Sequence, residues 1–310
     1  MCGIVAIAGS EPVAGRLIDG LKRLEYRGYD SAGIAISSLG KVERRRAKGK
    51  IVNLQARLDE MPLDGTTGIA HTRWATHGKP NETNAHPHMS GDVAIVHNGI
   101  IENFRELRTE LAGHGIDFVT ETDTETVALL AHHYMQSGLG PIEAAEKTIA
   151  RLEGAFALAF LFHGEDDLMV AARKGSPLAI GHGAEEMYIG SDAIALAPLT
   201  NRITYLEEGD RAVLTRKSLL IWDAEGHQVG GQMRGIGIDT AKGDKAGFDH
   251  YMAKEIAEQP AVVGAAINNY LPAAGDDIVL PGGDIDFTKI ERLTMVACGT
   301  AFYACLTAKY

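Results

Sequence analysis

The sequence predicts an α+β domain of stacked sheets covered by helices, and three observations carry that reading. Short apolar runs of strand length stand at 2–9 (CGIVAIAG), 67–72 (TGIAHT) and 93–97 (VAIVH). Apolar residues recur at helical spacing over 12–26 (Val13, Leu17, Leu21, Leu24) and again over 102–113, 124–137 and 141–152. From 154 to 224 the pattern turns to short β-rich runs, AFALAFLF, DLMVAAR, PLAIGH, EMYIG, RITYLE, DRAVLTR and SLLIWD, parted by Gly, Asp or Asn turn signals. Strands on both sides of a helical block fit a layered arrangement in which each sheet buries one face on the other and one under helices.

Taken in order, 2–9 reads as a buried strand, and the helix over 12–26 ends before Arg27–Gly28. A strand follows at 33–37 (GIAIS). Residues 41–50, KVERRRAKGK, hold six basic residues of ten and resemble a nucleic-acid patch, but in so acidic a chain a solvated strand and loop is the better reading. Between 72 and 93 lies a polar loop rich in His, Asn and Pro. Around 225–248 the composition shifts to Gly, Asp, Lys and Gln, which reads as a linker. Beyond it, 249–270 is helical, 274–287 is a Gly/Asp/Pro loop, and 292–298 (RLTMVAC) reads as a buried strand running through CGTA into another helical pattern. The expected domains are therefore 1–224, a linker at 225–248, and an incomplete second domain at 249–310.

Composition narrows the function classes. With 30 basic against 41 acidic residues the net charge is −11, so the surface as a whole repels nucleic acid and anionic membrane. No run approaches the ~18 continuous apolar residues of a membrane helix. Three cysteines in 310 residues, Cys2, Cys298 and Cys305, argue against a disulfide framework and for a reducing compartment. The apolar start MCGIVAIAG lacks the basic region of a secretory signal, so a cytoplasmic location is expected.

Chemistry-bearing residues fall in five pieces: Cys2–Gly3, Arg27–Gly33 (RGYDSAG), His71–Gly78 (HTRWATHG), His97–Glu102 (HNGIIE) and Thr122–Glu125 (TDTE). Removal of Met1 would leave a thiol and a free α-amine on Cys2, a nucleophile and its base on one residue. Such a thiol attacks an amide or ester carbonyl, and the oxyanion formed needs fixed donors. Asn98, with a side-chain amide, and Gly99, with an unhindered backbone N–H, can supply two. Arg73 suits a substrate carboxylate, which its planar fork binds bidentately. Asp123 suits a substrate ammonium, although an Asp between threonines is equally at home as a helix N-cap. Cys2 itself has a plainer reading as a small thiol at the start of a strand. His71, His77, His86, His88 and His97 crowd into 27 residues, yet they lack the spacing of a metal frame, and histidines bracing a loop are the better reading.

MCGIV, LEYRGYDSAG, GIAHTRWATHG, NAHPH, HNGIIEN, TETDTE and FDHYMAKEIAEQP together resemble the glutamine–fructose-6-phosphate aminotransferase (isomerizing) family. The opening MCGI is shared with amidophosphoribosyltransferases and asparagine synthetases, whereas the block at 250–260 points to the aminotransferases. The resemblance implies a four-layer αββα N-terminal-nucleophile hydrolase sandwich, a class II glutamine amidotransferase domain, followed by a truncated α/β sugar-isomerase domain. It implies that Cys2 is the nucleophile and its amine the base, and that Asn98 and Gly99 form the oxyanion hole. Arg73, helped by Thr76 and His77, would hold the glutamine α-carboxylate, and Asp123 the α-ammonium. The 73–81 loop would be a glutamine lid, with Trp74 as a gate to an ammonia passage and Arg27 as an active-site arginine of unassigned role. Cys298, Gly299, Thr300 and Ala301 match a turn of the sugar site.

The expected function is hydrolysis of L-glutamine through a γ-glutamyl thioester on Cys2. The ammonia released would convert fructose 6-phosphate to glucosamine 6-phosphate, a step that requires the missing C-terminal half. Two alternatives stand beside it: the glutaminase domain of an amidophosphoribosyltransferase-like enzyme, and a non-catalytic glutamine-binding module if Met1 is retained. No metal or organic cofactor is implied, nucleic acid and membrane are not expected partners, and the full-length protein is expected to be a homo-oligomer.

Overall fold

Alternation along the central strands sorts the apolar side chains into three separate layers. In β1 (Gly3–Ala8), Val5 and Ile7 face one way while Ile4, Ala6 and Ala8 face the other, and all are fully buried. The same split runs along β7 (Gly154–Phe162), where Phe156, Leu158, Phe160 and Phe162 take one side and Ala157, Ala159 and Leu161 the other. A period of two along a strand with both faces buried means that each sheet is covered twice. The computed structural model describes residues 2–235, 246–271, 278, 286–297 and 299–309. They fall into two compact units, Met1–Ala246 and Gly247–Tyr310.

In the first unit, the elements after β1 are α1 (Ala14–Lys22), β2 (Ser31–Ser38), β3 (Lys41–Lys48), α2 (Ile51–Glu60), β4 (Thr67–Arg73), β5 (His88–Ser90) and β6 (Val93–Ile101). Three helices follow, α3 (Phe104–Gly113), α4 (Asp123–Gln136) and α5 (Pro141–Ile149). After β7 come β8 (Met169–Lys174), β9 (Ala179–His182), β10 (Met187–Gly190), α6 (Ala193–Leu196), β11 (Arg202–Tyr205), β12 (Arg211–Leu214), β13 (Leu219–Trp222), β14 (Gln228–Val229) and β15 (Met233–Gly235). One antiparallel sheet runs β15-β11-β9-β10-β1-β4-β2-β3, and the other runs β14-β13-β12-β8-β7-β6-β5.

The outer layers differ in character from the inner one. Leu17, Ile18 and Leu21 of α1 and Ile51, Leu54 and Leu58 of α2 pack on the outer face of the first sheet with Ile34 and Ile36. Leu107 and Leu111 of α3, Val127 and Leu130 of α4 and Ala144 of α5 cover the second sheet over the Phe side chains of β7. Between the sheets alanine is more frequent than in the outer layers, with Ala6, Ala8, Ala35, Ala94, Ala157, Ala159 and Ala171 set among Ile4, Ile69, Leu161, Met169 and Ile189. The order helix, sheet, sheet, helix is the four-layer αββα sandwich that the resemblance implied.

Three expectations need correction. The stretch at 225–248 is not all linker, because β14 pairs Val229 with Ile221 and β15 pairs Gly235 with Arg202. Both are end strands of their sheets, where one side needs no partner and Gly- or Gln-rich sequence is tolerated, so their composition resembles a loop. The described residues 291–297 carry no strand, although RLTMVAC reads as one. An apolar run of that kind is held as a strand only by neighbours on both sides, and among the described residues the second unit has none. That unit contains α7 (Tyr251–Tyr270), with Pro260 inside it, and α8 (Gly299–Thr307), where the helical pattern after CGTA was expected. Helix α2 was not anticipated either, its Ile51, Leu54 and Leu58 spacing being masked by the basic run before it.

The basic run itself is less solvated than expected. Arg46 donates to the carbonyls of Thr83 and Ala85, both at 2.9 Å, and Arg44 to that of Pro87 at 3.2 Å. Burial lowers the pKa of both guanidiniums, Arg46 to about 10. Strand β3 thus grips the loop that carries His86.

The alanines of the inner layer make a specific prediction. Ala159→Leu, which adds three carbons between the sheets, is expected to cost about 1–3 kcal/mol, and Phe160→Ala on the opposite face about 3–5 kcal/mol. Urea denaturation measures both, and an Ala159→Leu variant as stable as the parent would refute the tight inter-sheet packing.

Candidate active site

Pairing of the central strands brings the chemistry together. β1 and β4 pair with Gly3 opposite Thr72, which sets Cys2 beside the end of β4 at Arg73. Trp74 meets the Cys2 thiol with both halves of its backbone: its N–H donates to Sγ at 3.3 Å, and its carbonyl accepts from Sγ at 3.5 Å. Burial, the largest influence, pushes the Cys2 thiol pKa up. The Trp74 N–H and the Arg73 guanidinium oppose that rise, and the Asp30 carboxylate adds to it.

The second sheet supplies the amide. β6 carries His97, Asn98 and Gly99, and the Asn98 Nδ2–H donates to the Cys2 carbonyl at 3.2 Å across the gap between sheets. Gly99 has φ +127°, a conformation that a side chain disfavours, and a Cβ there would run into the Ala155 carbonyl of β7. Only glycine fits. Gly28 is tight for a different reason, since a Cβ on it would stand 2.6 Å from the Arg73 carbonyl carbon.

Asp123 opens α4, but the N-cap is Thr122, whose hydroxyl accepts from the Glu125 N–H. The N-cap reading of Asp123 therefore fails by one residue. The residue is 4% exposed, and its carboxylate accepts from the Ile101 N–H at 2.9 Å and the Thr124 N–H at 3.0 Å. Glu125 in turn ties the preceding turn, accepting from the N–H groups of Val119 at 2.8 Å and Thr120 at 2.9 Å and from Arg108 at 3.1 Å.

Arg73 is nearly buried, and its guanidinium donates to the carbonyls of His77, Gly78 and Lys79, on the loop that leaves β4. Burial lowers its pKa, against the pull of Asp30, Cys2, Asp123 and Glu121. The loop is pinned twice more, by the Ala75 N–H on the Asp30 carboxylate and by the Lys79 N–H on Glu121 at 3.0 Å. Cys2, Arg73, Trp74, Thr76, His77, Gly99 and Asp123 line one cavity with His86, His97, Thr122 and Thr124. Its free space is about 10 Å³, room for one water.

Four histidines brace this cavity from below. Thr124 Oγ lies 2.9 Å from both His86 Nε2 and His97 Nδ1, and Thr122 Oγ is 3.1 Å from His88 Nε2. His71 stacks on His86 at 4.1 Å between ring centres, and its Nε2 meets the His97 carbonyl at 2.9 Å and Asn98 Oδ1 at 3.1 Å. Burial lowers the pKa of all four, His71 to about 3. Among the described residues no group of three or more His, Cys, Asp or Glu is placed to hold a metal.

Of the residues singled out in the sequence, Cys2, Arg73, Trp74, Thr76, His77, Gly99 and Asp123 line the cavity; Asn98 does not line it but bonds the Cys2 carbonyl from β6. Arg27 does not line it: its guanidinium pairs with Asp192, the N-cap of α6, and donates to the Ser191 carbonyl at 3.5 Å. Gly299, Thr300 and Ala301 form the first turn of α8 in the second unit, and Cys298 lies outside the described residues. Asp30 was missed as a site residue. Its place in RGYDSAG, two residues after the glycine that packs on Arg73, was the available signal.

A thiol at the head of a central strand, where two helix-covered antiparallel sheets meet, is the arrangement of the N-terminal-nucleophile hydrolase fold. The family described as "Glutamine amidotransferase domain" matches residues 71–198. A solved glutamine phosphoribosylpyrophosphate amidotransferase from B. subtilis superposes with a TM-score of 0.59 at 25% identity, covering 77% of this chain and 50% of that one. Residues 71–198 thus match a glutamine amidotransferase domain, and the fold that carries them is similar to that of the solved amidotransferase. Along its whole length it is similar to enzymes named glutamine–fructose-6-phosphate aminotransferase [isomerizing]: 57% identical over 311 residues to one from Bradyrhizobium diazoefficiens and 52% over 310 residues to one from Brucella suis. The chain spans about half the length of these curated relatives, 51% in each case.

The buried histidines predict the pH response. Their folded-state pKa values lie below the ordinary 6.5, so the unfolded chain takes up protons first as pH falls. Stability is full above pH ~6.5 and declines below it, with His71 alone contributing a loss of about 2 kcal/mol by pH 5. Thermal denaturation should show a Tm that drops from pH 7.5 to pH 5, and an unchanged Tm would contradict neutral, buried imidazoles.

Proposed function

We propose that the chain hydrolyses L-glutamine through a γ-glutamyl thioester on Cys2. In the longer protein it would supply the ammonia that converts fructose 6-phosphate to glucosamine 6-phosphate. The observation that carries this reading is the convergence on one cavity of the Cys2 thiol, the Arg73 guanidinium and the Asp123 carboxylate, with the Asn98 amide 3.2 Å from the Cys2 carbonyl.

The chemistry follows from that arrangement. Burial holds the thiol protonated, so a base is needed, and the α-amine of Cys2, freed by removal of Met1, takes the proton. The thiolate attacks the side-chain amide carbon of glutamine. The resulting oxyanion is met by the Asn98 side-chain N–H and the Gly99 backbone N–H, two donors fixed before the reaction begins. Collapse of the intermediate breaks the C–N bond, and the proton stored on the amine leaves with ammonia. Water then hydrolyses the thioester, returning glutamate and the thiol.

The amino-acid head of glutamine is read by charge. A carboxylate bonds a guanidinium more strongly than neutral carbonyls do, so an α-carboxylate can displace the loop carbonyls from Arg73. With the loop drawn aside, the cavity gains the volume that glutamine needs, and Thr76, His77 and Trp74 move with it. The Asp123 carboxylate has lone pairs left after its two backbone partners, and these take the α-ammonium. For Arg27 the ion pair with Asp192 supports a structural part. Cys298–Ala301 would join the sugar site only with the rest of the longer protein, for which a cytoplasmic homo-oligomer is the proposed state.

Cys2→Ala is expected to abolish glutaminase activity, while Cys305→Ala leaves it intact, and intact mass should show loss of one methionine. Retained Met1 together with glutamine binding but no turnover would favour a non-catalytic binding module. Arg73→Lys and Asp123→Asn should each lower kcat/KM for glutamine about 10- to 100-fold, mainly through KM. If both variants bind glutamine as the parent does, neither reads the amino-acid head.

A further inference from the structure

His71 sits in the middle of β4, opposite Ile4 on β1 and Gly33 on β2, and is wholly buried. It is too deep to touch a substrate in the cavity and does not line it. Its Nε2 faces two groups of the neighbouring sheet, the His97 carbonyl at 2.9 Å and the Asn98 side chain at 3.1 Å.

The carbonyl decides what the rest must do. A backbone carbonyl only accepts, so Nε2 carries the proton. A donor at Nε2 requires an acceptor from Asn98, which turns Oδ1 toward His71. The Asn98 amide is planar, so its NH₂ group then points the opposite way. There one N–H bonds the Cys2 carbonyl at 3.2 Å and the second is not used in that bond. Nδ1 of His71 has no hydrogen-bond partner and lies in the stack on the His86 ring, so a second proton there would find no acceptor. The imidazole is thereby kept neutral in one tautomer, and its role cannot be exchanged with Nδ1.

We propose that His71 is the positioning residue that fixes the flip of the Asn98 amide, so that a nitrogen and not an oxygen faces the carbonyl attacked by Cys2. Without His71 only the Cys2 carbonyl would oppose a 180° rotation of the Asn98 amide that presents Oδ1, which repels an oxyanion. The proposal rests on the glutaminase reading given above and extends it from the first ring of residues to the one behind.

The test uses the full chain and glutamine turnover. His71→Phe keeps a ring in the stack and removes the donor, whereas His71→Gln places an amide N–H near the position of Nε2. His71→Phe is expected to lower kcat about 10- to 100-fold, a part of the ~10²–10³-fold typical of a lost oxyanion donor, with KM for glutamine changed less than about threefold. His71→Gln should recover most of that loss. In a double-mutant cycle, His71→Phe combined with Asn98→Ala should be no worse than Asn98→Ala alone, since the histidine acts only through the amide. Additive losses, or a KM effect equal to the kcat effect, would overturn the proposal. If His71→Phe fails to fold, the Gln variant decides: near-parental kcat supports the donor role, and a 100-fold loss in a variant of parental Tm refutes it. An inactive parent chain carrying a free Cys2 amine would instead sink the glutaminase reading itself.

Discussion

The spacing between the two sheets is the constraint on which everything else hangs. The inner layer carries a run of alanines where the central strands face each other, including Ala6, Ala8, Ala94, Ala157, Ala159 and Ala171. Small side chains let the backbones approach, and only at close approach can a side chain on one sheet bond a group on the other. Two such bonds build the site, from Asn98 to the Cys2 carbonyl and from His71 to the His97 carbonyl. Larger inner residues would separate the thiol from its amide while leaving each sheet intact. The buried phenylalanines lie on the helix-covered face of the second sheet, and Phe160, Phe162, Leu17 and Leu54 add much of the outer-layer apolar burial that holds the domain together.

A second consequence is a dense set of polar groups in a dry place. His71, His86, His88, His97, Thr122, Thr124 and Asp123 are all buried, and most of their hydrogen bonds are to one another or to backbone. Buried networks of this kind are costly unless nearly complete, and they specify one arrangement when they are. The unpartnered nitrogens of His71, His77, His86 and His97 mark where the network stops. Keeping the imidazoles neutral avoids the larger cost of uncompensated charge.

Much of this was legible in the sequence because it was local. Strand runs such as VAIVH and helical spacings such as Leu17–Leu21–Leu24 announce their elements through periodicity alone, and the motifs around Cys2, Arg73, Asn98 and Asp123 announce their chemistry through residue type. What escaped was relational. Nothing in HTRWATHG says that His71 turns away from the cavity while Arg73, two residues on and of the same strand parity, ends at its edge, because the strand stops between them and the loop. Asp30 and Arg27 sit in one motif yet divide, one to the loop beside Arg73 and the other to Asp192, a partner 165 residues away. The end strands β14 and β15 went unseen because a strand with one neighbour carries little hydrophobic signature. Arg44 and Arg46 looked like surface charge because a sequence does not show that three carbonyls of another loop lie within reach.

The loop after β4 gives Arg73 a tenant of its own. Any anion drawn to that guanidinium enters as a competitor against three carbonyls tethered four to six residues away, at the high effective concentration of a short tether. The affinity measured for such an anion is therefore a difference between two occupancies of one fork. Loosening the loop where Asp30 or Glu121 pins it would tighten the apparent binding without altering a single contact to the ligand.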